Sequence, residues 1–311
     1  MNTYRILRNR IGRLLRGQNG SFLAVAALAL ALLLAAAGLA IDAGTLYVTK
    51  TQLKKAANAA ALSAAQELTG REERVRQVAG DILRSHGEER SSVHISVIMG
   101  ARVNVRIGRQ VPLSFGRLLG LDEAKVEANA ASEIVPMGSA AGAAPLGIDQ
   151  SVPLVYGTEY KLKVGPTGGE SGYYGILTLG GTGAQTYESN LLYGYPNELK
   201  VGDILPTETG NVAGKTQTAV QQLIDQCPYP SGYTEARDCR RILLVPVYEP
   251  YSYDSNQLKQ VKITGFAYFY IKEPLSYKDT SITGMFIKRA GTGFTKPGAA
   301  DKGAYAIRLT E

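Results

Sequence analysis

At 311 residues the chain is long enough for two modest domains, or for one large domain with an appendage. Its net charge of +7 would direct attention to nucleic acid. However, Arg5, Arg8, Arg10, Arg13 and Arg16 supply five of those charges within the first 20 residues, where no acidic residue occurs, leaving +2 for the rest. Charge placed in this way argues against a nucleic-acid surface and for a topology signal drawn to anionic lipid heads.

The basic tail, residues 1–20, leads into residues 21–41, SFLAVAALALALLLAAAGLAI, which contain no charge and no proline. As a helix this segment is about 31 Å long, matching a hydrocarbon core of about 30 Å. It is predicted to be a transmembrane helix with ends at Ser21 and Ile41. The positive-inside tendency keeps the tail cytoplasmic and sends residues 42 onward across the membrane. The alternative of a cleaved signal stays open through the small residues Ala35–Ala37, although the apolar core is longer than a signal requires. A type IV prepilin would carry Glu five residues after Gly20, where this chain has Val25. Asp42 then stands at the helix exit, followed on the wet side by Lys50, Lys54 and Lys55.

Residues 43–68 keep helical character with no proline, and Leu46, Leu53, Ala57, Ala61 and Ala64 fall on one stripe. Small side chains along a stripe admit a second backbone closely. The stripe is therefore expected either to receive a partner helix or to pack on the chain's own domain. Residues 71–86 follow as a second helix, after which the period changes to two. VHISVIM (93–99) and ARVNVRI (101–107) are predicted as a hairpin turning at Gly100, 111–121 as a short helical connection and 124–135 as a third strand. Residues 42–135 thus make a helix plus a small α+β unit near the membrane.

Residues 136–150, rich in Gly, Ala and Pro, are predicted as a linker. Residues 151–311 are predicted as a mainly antiparallel β domain. Its expected strands are 152–156, 160–164, 173–179, 241–249, 259–272, 281–288 and 304–309, with one helix at 216–226. The fold class is α+β: a transmembrane helix continuing into an amphipathic one, a small α+β unit and a mainly β domain.

The sequence offers little for chemistry. Gly210–Thr216 is one residue short of a P-loop, so a turn capping the next helix explains it better than a nucleotide site. His86 and His94 lack ligand-spaced partners, and no cofactor, metal or catalytic residue is expected. The glycine clusters at 168–172 and 180–183 bracket a strand and suit turns. Cys227 and Cys239, the only cysteines, flank a loop containing Pro and Gly. In an oxidising compartment they are expected to form a disulfide, contributing about 3 kcal/mol on the chain-entropy view. The 18 tyrosines suit either sheet packing or an adhesive face.

Several of these motifs occur together in one family. Arg16-Gly17, Gly38 with Asp42, Tyr47, Gln52 with Ala56, and Asn58-Ala59-Ala60-Ala61-Leu62 resemble the N-terminal segment of TadG-like Flp pilus-assembly proteins. Asn58 departs from the pattern, which has Asp there. The stretch from Val103 to Val135, with Phe115-x-x-x-x-Gly120 and a Val-x-Ala-x-Ala strand, is similar to the small domain of these proteins. GYYGILTL, VGDILPTETGN, CRRILLVPVYE and ITGFAYFYI also look like C-terminal pieces of some members. The von Willebrand A metal motif of other members is missing. The resemblance implies a single-pass protein of the bacterial cytoplasmic membrane with an extracytoplasmic domain and a non-enzymatic role in tight-adherence pilus assembly. It implies membrane lipid and either TadE- or TadF-like proteins or pilus subunits as partners. The competing reading is a surface-display or adhesion protein whose β domain binds glycan or a host surface.

Overall fold

The computed structural model describes residues 20–163, 174–208, 212–254, 257–275 and 281–310. The arginines of the basic tail, the 168–172 turn, Tyr173 and the Gly210–Asn211 pair lie outside them. Helix α1, Gly20–Ala65, is one uninterrupted helix of 46 residues, about 69 Å long. Ala and Leu dominate it and proline is absent, so it passes through Asp42 without a break. A turn at Gln66–Thr69 leads to α2, Glu72–Ser85. This helix opens on Glu72 and Glu73 and closes on Arg84, charges that suit its dipole, and buries Val75, Ala79 and Leu83 at four-residue steps.

Next come β1 (Ser92–Ile98), β2 (Arg102–Pro112), a 3-10 turn at Gly116–Leu119 and β3 (Glu123–Ala140). Then follow β4 (Leu146–Asp149), β5 (Glu159–Lys163), β6 (Tyr174–Leu177) and helix α3 (Ala184–Tyr193). After β7 (Leu199–Lys200) and β8 (Ile204–Glu208) comes α4 (Ala213–Asp225). The chain finishes with β9 (Ile242–Asp254), β10 (Gln257–Ile271), β11 (Ser281–Ile287), β12 (Arg289–Gly291), β13 (Phe294–Thr295) and β14 (Ala304–Leu309).

Two largely antiparallel sheets result. One runs β1-β2-β3-β14-β12, with β7 and β13 also paired to β3. The other runs β5-β11-β10-β8-β6-β4-β9, and because β9 also pairs β10, five of its strands close into a ring. Closure removes the open edges that such strands would otherwise present. Phe266, Phe269, Tyr270 and Phe286 are fully buried in this region, each contributing about 1.5–3 kcal/mol. Phe286 meets Phe269 and Tyr160 edge-on, at centroid distances of 5.1 Å in both cases.

The fold class is α+β as expected, but several details differ. Residues 136–140 are not a linker: they extend β3, and Met137, Ala140, Ala143 and Ala144 are buried. The small residues there serve close packing, since a Cβ on Gly138 would lie 2.2 Å from Lys296 Cβ. Residues 152–156 form no strand, because Tyr160 Oη accepts the Val155 N–H at 2.8 Å and donates to Pro153 O at 2.9 Å in place of a ladder. Helix α3 is a second helix beyond residue 150. Contacts divide the chain into two compact units. One comprises residues up to Lys55, Glu88–Val93 and Ile107–Ala128; the other comprises Ala56–Gly87, His94–Arg106 and Asn129–Glu311. This division cuts across the boundaries expected at 42, 135 and 150.

Candidate functional site

Between Phe22 and Ile41, the large apolar side chains of α1 are 47–76% exposed. An unbroken cylinder of bare Leu, Val and Phe is unstable in water and suits hydrocarbon. The helix is long and apolar enough to cross a membrane.

At the C-terminal end of this run, two segments separated widely in sequence meet within the first unit. Asp42 is 5% exposed. Its Oδ1 accepts the N–H of Ser114 at 2.9 Å, and its Oδ2 accepts those of Phe115 at 2.9 Å and Gly116 at 2.7 Å. Burial pushes this carboxyl upward, but the three backbone donors outweigh burial and hold it below the ordinary aspartate value. One helical turn earlier, Gly38 receives the Phe115 side chain: a Cβ at position 38 would lie 2.3 Å from Phe115 Cδ1 and 2.4 Å from Cγ. Gly120 ends the 3-10 turn at φ 79°, a left-handed conformation that glycine adopts without strain. Further along α1, Lys50 Nζ donates to the Glu127 carbonyl. Thus Gly38-x-x-x-Asp42 and Phe115-x-x-x-x-Gly120 are two halves of one latch. Each spacing is visible in the sequence, but their meeting is not. The same unit buries Glu88, which accepts from Arg109 at 2.7 Å and from Ser91 Oγ at 2.5 Å.

The stripe on α1 corrects one expectation. Leu53, Ala57, Ala61 and Ala64 have no exposed surface and Leu46 is half-buried. The face expected to receive a partner helix is covered within the chain itself. Asn58 keeps its Oδ1 buried without a hydrogen-bond partner. An ionised carboxylate at that atom would be costlier still, which gives a physical reason for the amide.

In the second unit, Cys227 and Cys239 are joined in a disulfide. Their loop carries Arg237, whose guanidinium donates to the carbonyls of Gln66 and of Ala290, the latter at 2.6 Å, and pairs with Glu67 at 3.3 Å. Glu235 pairs with Arg71 at 3.2 Å. A cation at the end of α1 satisfies a carbonyl that the helix leaves open. Sequence reading found the disulfide but not Arg237, which has no motif to mark it.

The other expected features are in structural use. Lys215 pairs with Glu188 at 2.7 Å, and Thr216 is fully buried, 2.9 Å from Tyr187 Oη. His86 caps α2 and His94 lies exposed on β1. Tyr187, Tyr248 and Tyr270 are core residues, whereas Tyr193, Tyr251 and Tyr253 are exposed. Among the described residues, no group of three or more His, Cys, Asp or Glu side chains could hold a metal.

A long apolar helix of this kind defines a membrane anchor or signal, and the disulfide behind it points to an extracytoplasmic region. Within that class a family comparison is specific. Residues 20–67 match the Tad family model, described as Flp pilus-assembly TadE/G-like, so α1 and the turn after it form a TadE/G-like segment. No curated protein and no solved structure matches the chain.

Proposed function

We propose that the chain is a single-pass, non-enzymatic component of Flp pilus assembly. Its N-terminus is cytoplasmic, and its region from Asp42 onward contacts pilus or envelope partners outside the cytoplasmic membrane. The observation that carries this reading is the TadE/G-like match over residues 20–67, laid on a helix whose apolar part is bare. The arginine-rich tail supports the orientation and the disulfide supports an oxidising compartment. Because the alanine stripe is covered, contacts with TadE- or TadF-like proteins or pilus subunits fall on other surfaces.

The reading is tested by protease protection in spheroplasts together with recovery of partners from solubilised membranes. Digestion of the region beyond residue 70, with a cytoplasmic control intact, and co-purification of pilus-assembly proteins are expected. Shielding of that region overturns the orientation. A deletion strain with normal piliation and lost surface binding overturns the assembly role in favour of adhesion through exposed tyrosines such as Tyr251 and Tyr253, 55% and 64% exposed.

A further inference from the structure

The turn latched by Asp42 carries large apolar side chains into the open: Leu118, Leu119 and Leu121 are 81%, 67% and 58% exposed. They are not needed to build the turn. Leu113 is buried beneath it, and the backbone closes on itself through Leu113 N to Asp122 O (2.9 Å), Leu118 N to Phe115 O (3.0 Å) and Leu121 N to Gly116 O (3.0 Å). A turn with satisfied backbone groups can leave water at little cost.

The height of this turn along α1 indicates what it meets. Phe115 rests on Gly38, three residues before the end of the apolar run at Ile41, about 4.5 Å inside it. On that stretch Leu39 and Ile41 are themselves 47% and 56% exposed. The turn that bears the leucines is therefore anchored at the last turn of the lipid-facing helix and not at the lysines further out. Arg117, whose side chain is 63% exposed and 3.7 Å from Asp122, flanks the tip as a snorkelling cation flanks a membrane interface. We propose that Leu118, Leu119 and Leu121 enter the outer-leaflet interface of the membrane, giving the chain a second, shallow lipid contact beside its helix. The occupant is lipid because the tip is continuous with a surface already committed to hydrocarbon. The inference rests on the reading that residues 21–41 span the membrane.

The chain contains no tryptophan, so single substitutions report position directly. Full-length Leu119→Trp, Leu33→Trp and Tyr193→Trp are reconstituted in phosphatidylcholine–phosphatidylglycerol vesicles containing brominated lipid. Leu119→Trp should emit to the blue and lose about half its intensity to shallow bromines, as fits a side chain about 5–10 Å below the headgroups. Leu33→Trp should be quenched by deep bromines and Tyr193→Trp by neither. Quenching at 33 with none at 119 overturns the loop contact and leaves the span intact; quenching at neither position overturns both. Blue-shifted emission from the Leu119→Trp variant that bromine does not quench, and that reddens as protein is diluted in lipid, assigns the tip to a second copy and also overturns the proposal. Leu118→Trp repeats the measurement at a more exposed position, where misfolding is not a concern.

Discussion

Gly38→Ala tests the latch most directly. The added methyl would sit 2.3 Å from Phe115 Cδ1, 2.4 Å from Cγ and 2.9 Å from Cβ. Carbon contacts are optimal near about 3.5–4.0 Å, so the overlap exceeds about 1 Å and falls on the root of the side chain, which cannot swing aside. Overpacking of this kind costs about 1–3 kcal/mol, which accelerates opening of the latch by about 5- to 150-fold. The readout is hydrogen exchange in detergent micelles, followed on a peptide covering 113–121, because the amides of Ser114, Phe115 and Gly116 are the ones bound by Asp42. Gly44→Ala is the matched control: its Cβ meets nothing within 4 Å, and alanine favours a helix by about 1 kcal/mol. It should leave exchange at 114–116 unchanged. Adding Gly38→Ala to Phe115→Ala should have a much smaller effect than in wild type, because the ring contacts at 2.3 and 2.4 Å have gone and only the Cβ contact at 2.9 Å remains. Equal exchange in Gly38→Ala and wild type refutes the contact between Phe115 and Gly38.

Three further outcomes follow from the structure. Asp42 titrates below its ordinary 3.8 in the folded chain. Its stabilisation is therefore complete above that value and fades as pH falls through the lower folded value; exchange at 114–116, corrected for intrinsic rates, should rise only in that acid range, and Asp42→Asn should abolish the pH dependence. Replacing both Cys227 and Cys239 by Ser should remove about 3 kcal/mol, seen as a lower melting midpoint. Reductant should lower the wild-type midpoint similarly and leave the double variant unmoved. Ala61→Leu, at a position with no exposed surface, should lose about 1–3 kcal/mol on melting while protease protection shows normal insertion.

The long helix was legible because an unbroken apolar run joins an alanine-rich one with no proline, a pattern that admits little else. Helix α3 was not, because AQTYESNLLY buries only Tyr187, Asn190 and Leu191 and sits between glycines that read as turns. Its Asn190 donates to Leu179 O at 2.8 Å, a polar core contact that an apolar template misses. The glycines and alanines after Pro136 read as flexibility, yet Gly138 and Gly293 are small because backbone lies against them: a Cβ on Gly293 would be 2.7 Å from Ser139 O. Residue size constrained by a distant neighbour is not written in local sequence. The alanine stripe was legible as a packing face, but periodicity alone could not say whether that face was already covered.

Asp42 shows the same division most clearly. A carboxylate just past an apolar run is normally tolerated because it reaches water. Asp42 is 5% exposed, so that route is nearly closed, and its charge is met by three consecutive backbone amides more than 70 residues away. Two of them converge on Oδ2 alone. An asparagine of the same size would turn one of its two heads into a donor and could not accept all three. The chemistry of the cradle therefore selects an acid, and the cradle exists only where the chain lies against the helix. Gly38 makes that approach possible one turn earlier. The acid at the helix exit, just past the apolar run, thus acts as a latch. Its partner amides position the leucine-bearing turn beside the last apolar turn of the helix.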